Sequence, residues 1–586
     1  MKRSILASCL LACTPLFAVQ IDPIAVTANP LASPQEPSLL LTEVVQREDI
    51  LNSGAQSIAD ALTLISSVHI AQTGGEGSQM SIFTRGTESD HTLIMVDGIE
   101  LNSVNGTAYL NTISVESIER IEVIKGASNR YGANAIGGII NIITTREDRD
   151  NSVTVKAGTD NSVAGALSLT HQGERTQLTV NLGVEYSQGI DSAVDREPDE
   201  DSYRNAYNQW QIRHDFTDHF YVSGQFQQAF TALQYDGYSF APNNETRVDQ
   251  SLGNARMGID YDRFQSQITL TNQIYLSDDF VGETRANFSH FRSREFALNW
   301  DNQINLFSFN SLNFGAFYQD ESSNQIAYEG LYQGGLYVQP QFRFGMVTVE
   351  TQYRYNEHSD FKTLHTWGSN VRLQYADSGF IQLGANQGYK YPTSLDNYFG
   401  TSPGLKPEEA QSYEITLSQS IDNFTAVLSG FQNEIDNLIA YDPATSSSKN
   451  IAEVNTRGIE TGLSYRAKRW SQSVNWTWLE AQDISDDDLL RRPKNSLSLV
   501  GGYQLLDSTH LHWSATAQSS FKDYDFSFAQ TKVGGFGLIN LGLTQDLTDD
   551  VSLSVDVKNL LDKEYQTVFG YNQPGREAFL NLTASF

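Results

Sequence analysis

Cysteine occurs only at positions 9 and 13 of 586 residues, so the chain beyond Cys13 can form no disulfide and offer no thiolate to a metal. Positive charge is also scarce. The 39 Lys and Arg stand against 70 Asp and Glu, and the resulting net charge of -31 repels phosphate backbones and excludes nucleic acid as a partner. Long apolar runs are missing as well: past the first residues, none reaches the roughly 20 residues that a membrane helix needs. Catalytic signatures are absent too. Ser, His and Asp residues are scattered without a nucleophile elbow, a phosphate loop or metal-hydrolase spacing, so nothing asks for an enzyme.

The sequence is rich in aromatic residues, at 11%, most of them Tyr and Phe, and its 43 glycines suit many short strands separated by turns. Lys2, Arg3, the apolar stretch Ile5 to Phe17 and the small Ala18 read as an export signal over residues 1–18. Leu6 to Cys9 and Leu10 to Cys13 have the form of lipoprotein cleavage sites, but the apolar stretch before either cysteine is short for such a signal.

From about residue 150 the chain alternates. Leu178, Val180, Leu182 and Val184 interleave with Thr179, Asn181, Gly183 and Glu185, and Val551, Leu553, Val555 and Val557 with Ser552, Ser554, Asp556 and Lys558. In strands these sets face opposite ways, one to lipid and one to water. A soluble β-sandwich alternates equally. The final strand separates the two, because Leu580, Leu582, Ala584 and the terminal Phe586 resemble the closing signature of outer-membrane barrels. Residues 149–586, at about 20 residues per strand with loops, predict an all-β transmembrane barrel of about 22 antiparallel strands, and so wide a bore leaks unless filled. Residues 35–148 read as the filling, an N-terminal α+β plug domain inside the lumen. They offer a strand at Thr42 to Val45, a helix capped at Ser57 and running toward Leu64, and strands at Thr92 to Val96, Ile118 to Ile124 and Gly138 to Ile143. Asn29-Pro30 and Ser33-Pro34 mark an extended linker ahead of it.

Arg85-Gly86-Thr87, the run Leu93 to Gly98, Ile118 to Gly126, Tyr131-Gly132 and Ala135 to Ile142, in this order and spacing, resemble the plug of TonB-dependent transporters. The turn from Gly126 to Tyr131 departs from the family form by being a residue shorter and lacking its proline. The resemblance continues through Asn455 to Glu460, Leu489 to Pro493 and Asn559 to Tyr565, and so spans nearly the whole chain. At the front, Asp22, Pro23, Ile24, Ala25, Val26, Thr27 and Ala28 resemble a TonB box. Such a segment can add as a strand to a partner sheet. The resemblance implies that the partner is TonB, energised across the inner membrane.

Within the family, Thr567 to Tyr571 with Gly575-Arg576-Glu577 is most similar to the cobalamin transporters. That likeness implies calcium, a structural cofactor in the external loops, held by Asp191, Asp199, Asp201 and Asp236. Clustered carboxylates repel unless a hard cation compensates them, although in so acidic a chain they also read as solvated loops. It further implies a corrinoid ligand touched by one plug loop at Gln79, Met80 and Ser81, by another at Ser103, Val104, Asn105, Gly106 and Thr107, and by Tyr235, Arg491 and Tyr571 of the barrel. His91 reads as structural. The expectation is a monomer in outer-membrane lipid that imports cobalamin or a related corrinoid. The alternatives are a ferric-siderophore or haem receptor of the same family, and a passive porin or adhesin.

Overall fold

The computed structural model describes residues 39–586 apart from 103–105, 107, 129–130, 145–150, 194–198, 237–243, 283–285, 308–309, 325–330, 399, 401–403, 443–444 and 451–452. The first part of the chain contributes strands β1 (Thr42–Gln46), β2 (Val68–Gln72), β3 (Met80–Thr84), β4 (Thr92–Val96), β5 (Ile99–Glu100), β6 (Arg120–Lys125) and β7 (Gly138–Ile143). It also forms helices α1 (Arg47–Ser53) and α2 (Ile58–Leu62). β4 and β7 run parallel at the centre and are buried along their whole length, as a strand covered on both faces must be. β6 and β1 extend the sheet on one side and β5 on the other, in the order β1-β6-β7-β4-β5. β2 and β3 form a separate hairpin.

Ser57 caps α2 as expected, its hydroxyl accepting from the Asp60 amide at 3.3 Å while the Asp60 carboxylate accepts from the Ser57 amide at 3.2 Å. The helix ends at Leu62, short of Leu64, and β6 starts at Arg120 because a 3-10 turn over Val115–Ser117 occupies the chain up to Ile118. Helix α1 and the β2–β3 hairpin went unpredicted. α1 offers a single buried aliphatic residue, Ile50, too little for a periodic signal.

The rest of the chain closes into a barrel of 22 antiparallel strands, the last (Glu577–Ser585) pairing with the first (Ser152–Gly158). The alternation holds: Val184 is 61% exposed on the outer wall while Asn181 is 4% exposed inside. Leu580 and Leu582 of the final strand also face out. Among the described residues no helix is long and apolar enough to cross a membrane. Tight turns such as Thr217 to Phe220 and Tyr261 to Phe264 gather at one rim. Long connections at 188–202, 391–407 and 559–576 gather at the other, the pattern that marks the external side.

Three segments distant in sequence meet where plug joins wall. Arg85 is 1% exposed. Its guanidinium reaches Glu460 at 2.9 and 3.1 Å and Glu414 at 2.7 Å, and lies 4.4 Å over the Phe431 ring. Lys125 of β6 shares Glu460 at 3.3 Å. Arg492 donates to the carbonyls of Gly86 and Thr87 at 3.1 and 2.9 Å. On another arc, Asp97 accepts from Gln225 at 2.8 Å and Gln211 at 3.0 Å, and its carbonyl from Arg256 at 2.8 Å.

Removing Glu460 leaves Arg85 to Glu414 alone and Lys125 to Glu43 alone, and weakening a buried charge network in this way costs up to about 3–5 kcal/mol. Glu460→Ala therefore exposes the plug to protease at lower urea than the parent while the barrel's heat-resistant gel mobility is unchanged. Parent-like protection of the plug would contradict the docking role.

Candidate functional site

At the external rim the plug presents the loop between β2 and β3, residues 73–79. Gly74 (φ 137°) and Gly77 (φ 88°) hold backbone conformations that side chains rarely adopt, and a Cβ at either would collide with Ser192 or Tyr203 of the barrel. The loop is tied down by Asn111, which donates to the Gly77 and Ser78 carbonyls at 2.6 and 2.9 Å, and Tyr203 donates to the Asn111 carbonyl at 2.7 Å. Thus the plug apex lies against the barrel loop 188–202 that carries three of the four predicted cation ligands.

The structure brings those ligands near one another. Asp201 accepts from the Ser192 amide at 3.3 Å and Asp236, on the adjacent loop, from the Ala193 amide at 2.7 Å. Asp199 has a buried Oδ1 with no hydrogen-bond partner among the described residues. Burial pushes the Asp201 carboxyl up to about 7, and the charges of Asp236 and Asp199 push the same way. Burial also raises Asp236, with Asp199 and Asp191 adding to it. The four aspartates are therefore in electrostatic reach without forming one coordination shell: among the described residues no three acidic, His or Cys side chains are grouped to hold a metal ion.

Of the predicted ligand contacts, Gln79, Met80, Ser81 and Gly106 line one cavity of about 220 Å³, so the two plug loops converge. Ser103, Val104, Asn105 and Thr107 lie outside the described residues, as does the segment Asp22 to Ala28. Tyr571 forms a bridge to Ala193 beside the acidic loop and packs on Ala71, Phe83 and Val568. Tyr235 adjoins Asp236 at the end of the strand Phe220–Gln234. Arg491 stands apart from the cavity and pairs at 2.9 Å with Asp523, whose other oxygen accepts from the Phe569 amide at 2.9 Å. It pins the hairpin of strands Phe521–Tyr524 and Gln530–Val533 to the 567–571 segment.

The opposite wall of the cavity comes from residues not anticipated, Thr393, Leu395 and Asp396, on and before the short helix Ser394–Tyr398. Below them Lys390, 1% exposed, pairs with Asp90 at 2.9 Å and lies 3.6 Å from Glu408 and 3.9 Å from Asp396. Glu408 also meets His91 at 3.0 Å, which gives that histidine a structural partner. A lysine between two tyrosines at a strand end was the available signal, but its acids come from the plug and the next strand. Among the described residues no Arg or Lys lines the cavity.

The plug region, residues 38–139, matches the family model "TonB-dependent Receptor Plug Domain", and residues 143–560 match "TonB dependent receptor-like, beta-barrel". Among solved structures, the siderophore receptor PirA from Acinetobacter baumannii is 17% identical with a TM-score of 0.79, covering 93% of this chain and 98% of that one. The ferric enterobactin receptor PfeA from Pseudomonas aeruginosa, in complex with enterobactin, is 18% identical with a TM-score of 0.81, covering 93% and 99%. P. aeruginosa FpvA bound to a heterologous pyoverdine is 16% identical with a TM-score of 0.79, covering 96% and 88%. At these identities the likeness is one of fold.

Because the folded carboxyl of Asp201 titrates above its unfolded value, its charge penalises the fold increasingly from about pH 4 to about pH 7 and by a constant amount above. In a chelator, Asp201→Asn therefore resists proteolysis of the 188–202 loop better than the parent, by a margin that widens over that window and is then flat. A margin that ignores pH, or narrows with it, would refute the assignment.

Proposed function

The chain belongs to the TonB-dependent receptors, and from that premise we propose that it binds cobalamin or a related corrinoid at its outer face and imports it when TonB pulls on the Asp22 to Ala28 segment. The coarse activity follows from the family: TonB-dependent transport across the outer membrane by a receptor, not an enzyme. The observation that carries the ligand reading is the cavity where Gln79, Met80, Ser81 and Gly106 meet Thr393 and Leu395. At about 220 Å³ the cavity takes only part of such a ligand, and its amide, hydroxyl and aliphatic groups suit the edge of a large amphipathic compound of low charge. Asp90 and Asp396 border it, compensated in part by Lys390 beneath them, no Arg or Lys among the described residues lines it, and more carboxylates surround the neighbouring apex loop. A polyanionic ferric catecholate would meet repulsion there.

The acidic cluster supports calcium as a structural cofactor. Asp191, Asp199, Asp201 and Asp236 supply only oxygen donors, the set that this hard cation selects, and the raised Asp201 carboxyl and the unpartnered Asp199 oxygen mark uncompensated charge. Calcium there would neutralise the rim and tie Asp191, Asp199 and Asp201 to Asp236 beside the plug apex. Tyr235 and Tyr571 would offer aromatic surface at the same rim, whereas the ion pair of Arg491 gives it a supporting part. A second reading, a ferric siderophore, is the one the solved neighbours favour, since each is named as a receptor for such a compound or is bound to one.

Titration of the purified receptor with cyanocobalamin and with ferric enterobactin, each in calcium and in EGTA, decides between them. The corrinoid reading expects cyanocobalamin to bind, and Asp199→Ala/Asp201→Ala to weaken it at least tenfold in calcium, about 1.4 kcal/mol. Binding of the ferric complex alone would install the second reading, and an affinity indifferent to both calcium and the substitutions would remove the cation. Deleting Asp22 to Ala28 abolishes uptake in cells and leaves binding intact. Uptake that survives the deletion would point to a passive pore.

A further inference from the structure

The outer-face cavity has walls from plug and barrel, and their chemistry is unequal. From the plug come Gln79, Ser81 and Ser89, whose amide and hydroxyls donate and accept alike, so they cannot sort the polar groups of a ligand by sign. Asn102 is engaged within the plug. Its Oδ1 accepts from the Ile94 amide at 2.7 Å, and its Nδ2 donates to the Thr92 and Gly106 carbonyls at 3.3 and 3.4 Å. Gly106 (φ 81°) lies so close to Thr393 and Asp90 that a Cβ there would crowd both, and no side chain from this position fills the space. Among the described residues, only Asp90 and Asp396 bring formal charge to the lining.

The two aspartates are not equivalent. Asp90 pairs through Oδ2 with Lys390 at 2.9 Å, and its Oδ1 lies 3.9 Å from His91. Glu408 is taken by His91 at 3.0 Å and accepts from the Ile439 amide at 2.6 Å. Asp396 stands 3.9 Å from Lys390, beyond hydrogen-bond reach. Through the same oxygen, Oδ2, it accepts from the Thr393 amide at 2.9 Å and the Thr393 hydroxyl at 2.6 Å, while its own amide donates to that hydroxyl at 3.1 Å. One oxygen thus carries the structural part of Asp396, closing the first turn of the short helix. The other, Oδ1, has no hydrogen-bond partner among the described residues. One lysine faces the three carboxylates of Asp90, Asp396 and Glu408, so negative charge remains here even with His91 protonated.

We propose that Asp396 is the charge filter of the outer-face site: its Oδ1 accepts a hydrogen bond from an N–H on the ligand's edge, and the residue turns away an edge that carries a carboxylate or catecholate. The inference deepens the corrinoid reading and rests on it for the ligand, because the rim of a corrinoid is set with primary carboxamides. The physics is a difference between two meetings. An amide N–H facing the carboxylate gains a charge-assisted bond, whereas a second carboxylate brings like charge and no donor. Recognition by such pairing rejects a wrong analogue far more strongly than an apolar wall does.

Two measurements test it. In the first, cyanocobalamin and the monocarboxylates made by hydrolysing one of its propionamides are titrated against the purified receptor in calcium. The parent is expected to bind at least one monocarboxylate at least tenfold more weakly than the amide. Asp396→Asn, whose side-chain oxygen can keep the bond from the Thr393 amide, should narrow that gap to within threefold. A gap of the same size in Asp396→Asn, or none in the parent, would overturn the filter and leave the corrinoid reading in place. The second measurement needs no ligand. Leu395, 45% exposed and lining the cavity, is replaced by cysteine in a chain that has none after Cys13, with the parent as the blank. A cationic methanethiosulfonate should label Leu395→Cys faster than an anionic one of similar size, and adding Asp396→Asn should lower the ratio of the two rates at least fivefold. Taking the ratio cancels any change in the thiol itself. An unchanged ratio would sink the proposal. A receptor that binds no cyanocobalamin would count against the corrinoid reading, and the labelling ratio would still decide the part of Asp396.

Discussion

A sheet inside hydrocarbon has nowhere to leave an edge. Every amide and carbonyl facing lipid without a partner costs several kcal/mol, so the strands must close, and the closing pair of Glu577–Ser585 with Ser152–Gly158 is the contact on which the rest of the molecule depends. With 22 strands the closed ring is too wide to fill with its own side chains. The bore needs a separate folded body, and that body must be apolar within and polar where it meets the wall. Both conditions are met. Ile94, Ile121, Ile140 and Ile142 are buried in the plug core, whereas contact with the barrel runs largely through Arg85, Asp97, Lys125 and the wall's glutamates and glutamines, with apolar patches where Ile136 meets Ile435 and Phe83 meets Val568.

This division explains how much could be read from the sequence. The barrel was legible because one physical rule, lipid outside and water inside, is imposed at every second residue along each strand. The central plug strands were legible because burial on both faces leaves the unbroken runs Leu93 to Val96 and Ile139 to Ile143. Helix α1 was not, since it is held by hydrogen bonds and ion pairs to the wall, such as Asp49 to Arg466 and the Ser53 carbonyl to Ser514, and not by a hydrophobic stripe. Family motifs said that Arg85, Glu460 and Arg492 belong to the pattern. Their reason appears only when the fold sets them together, one arginine in the wall's carboxylates and the other on that arginine's following carbonyls.

The candidate site divides in the same way. The four aspartates could be named from spacing and likeness, and adjacent loops of neighbouring strands bring them within electrostatic reach of one another. The plug's two loops likewise converge on one cavity. Lys390 escaped notice because a lone lysine in sequence has no meaning until Asp90 and Glu408 arrive from elsewhere in the chain. Arg491 has the chemistry of a ligand donor, and the fold adds a partner that the sequence did not show, the buried Asp523 at 2.9 Å.

Holding and releasing a plug are opposing demands, and the distribution of charge reconciles them. Buried ion pairs contribute little net stability against well-packed alternatives, but breaking one by moving a single partner is expensive, so they resist local displacement more than they deepen the fold. They gather around Arg85, Lys125 and Lys390, with a further pair where Asp60 meets Lys558. Neutral hydrogen bonds to backbone carbonyls, as at Ser53, Leu64 and Gln72, can be exchanged for bonds to water at a net cost of only about 1 kcal/mol each. A plug held by both kinds of contact keeps the bore closed at rest.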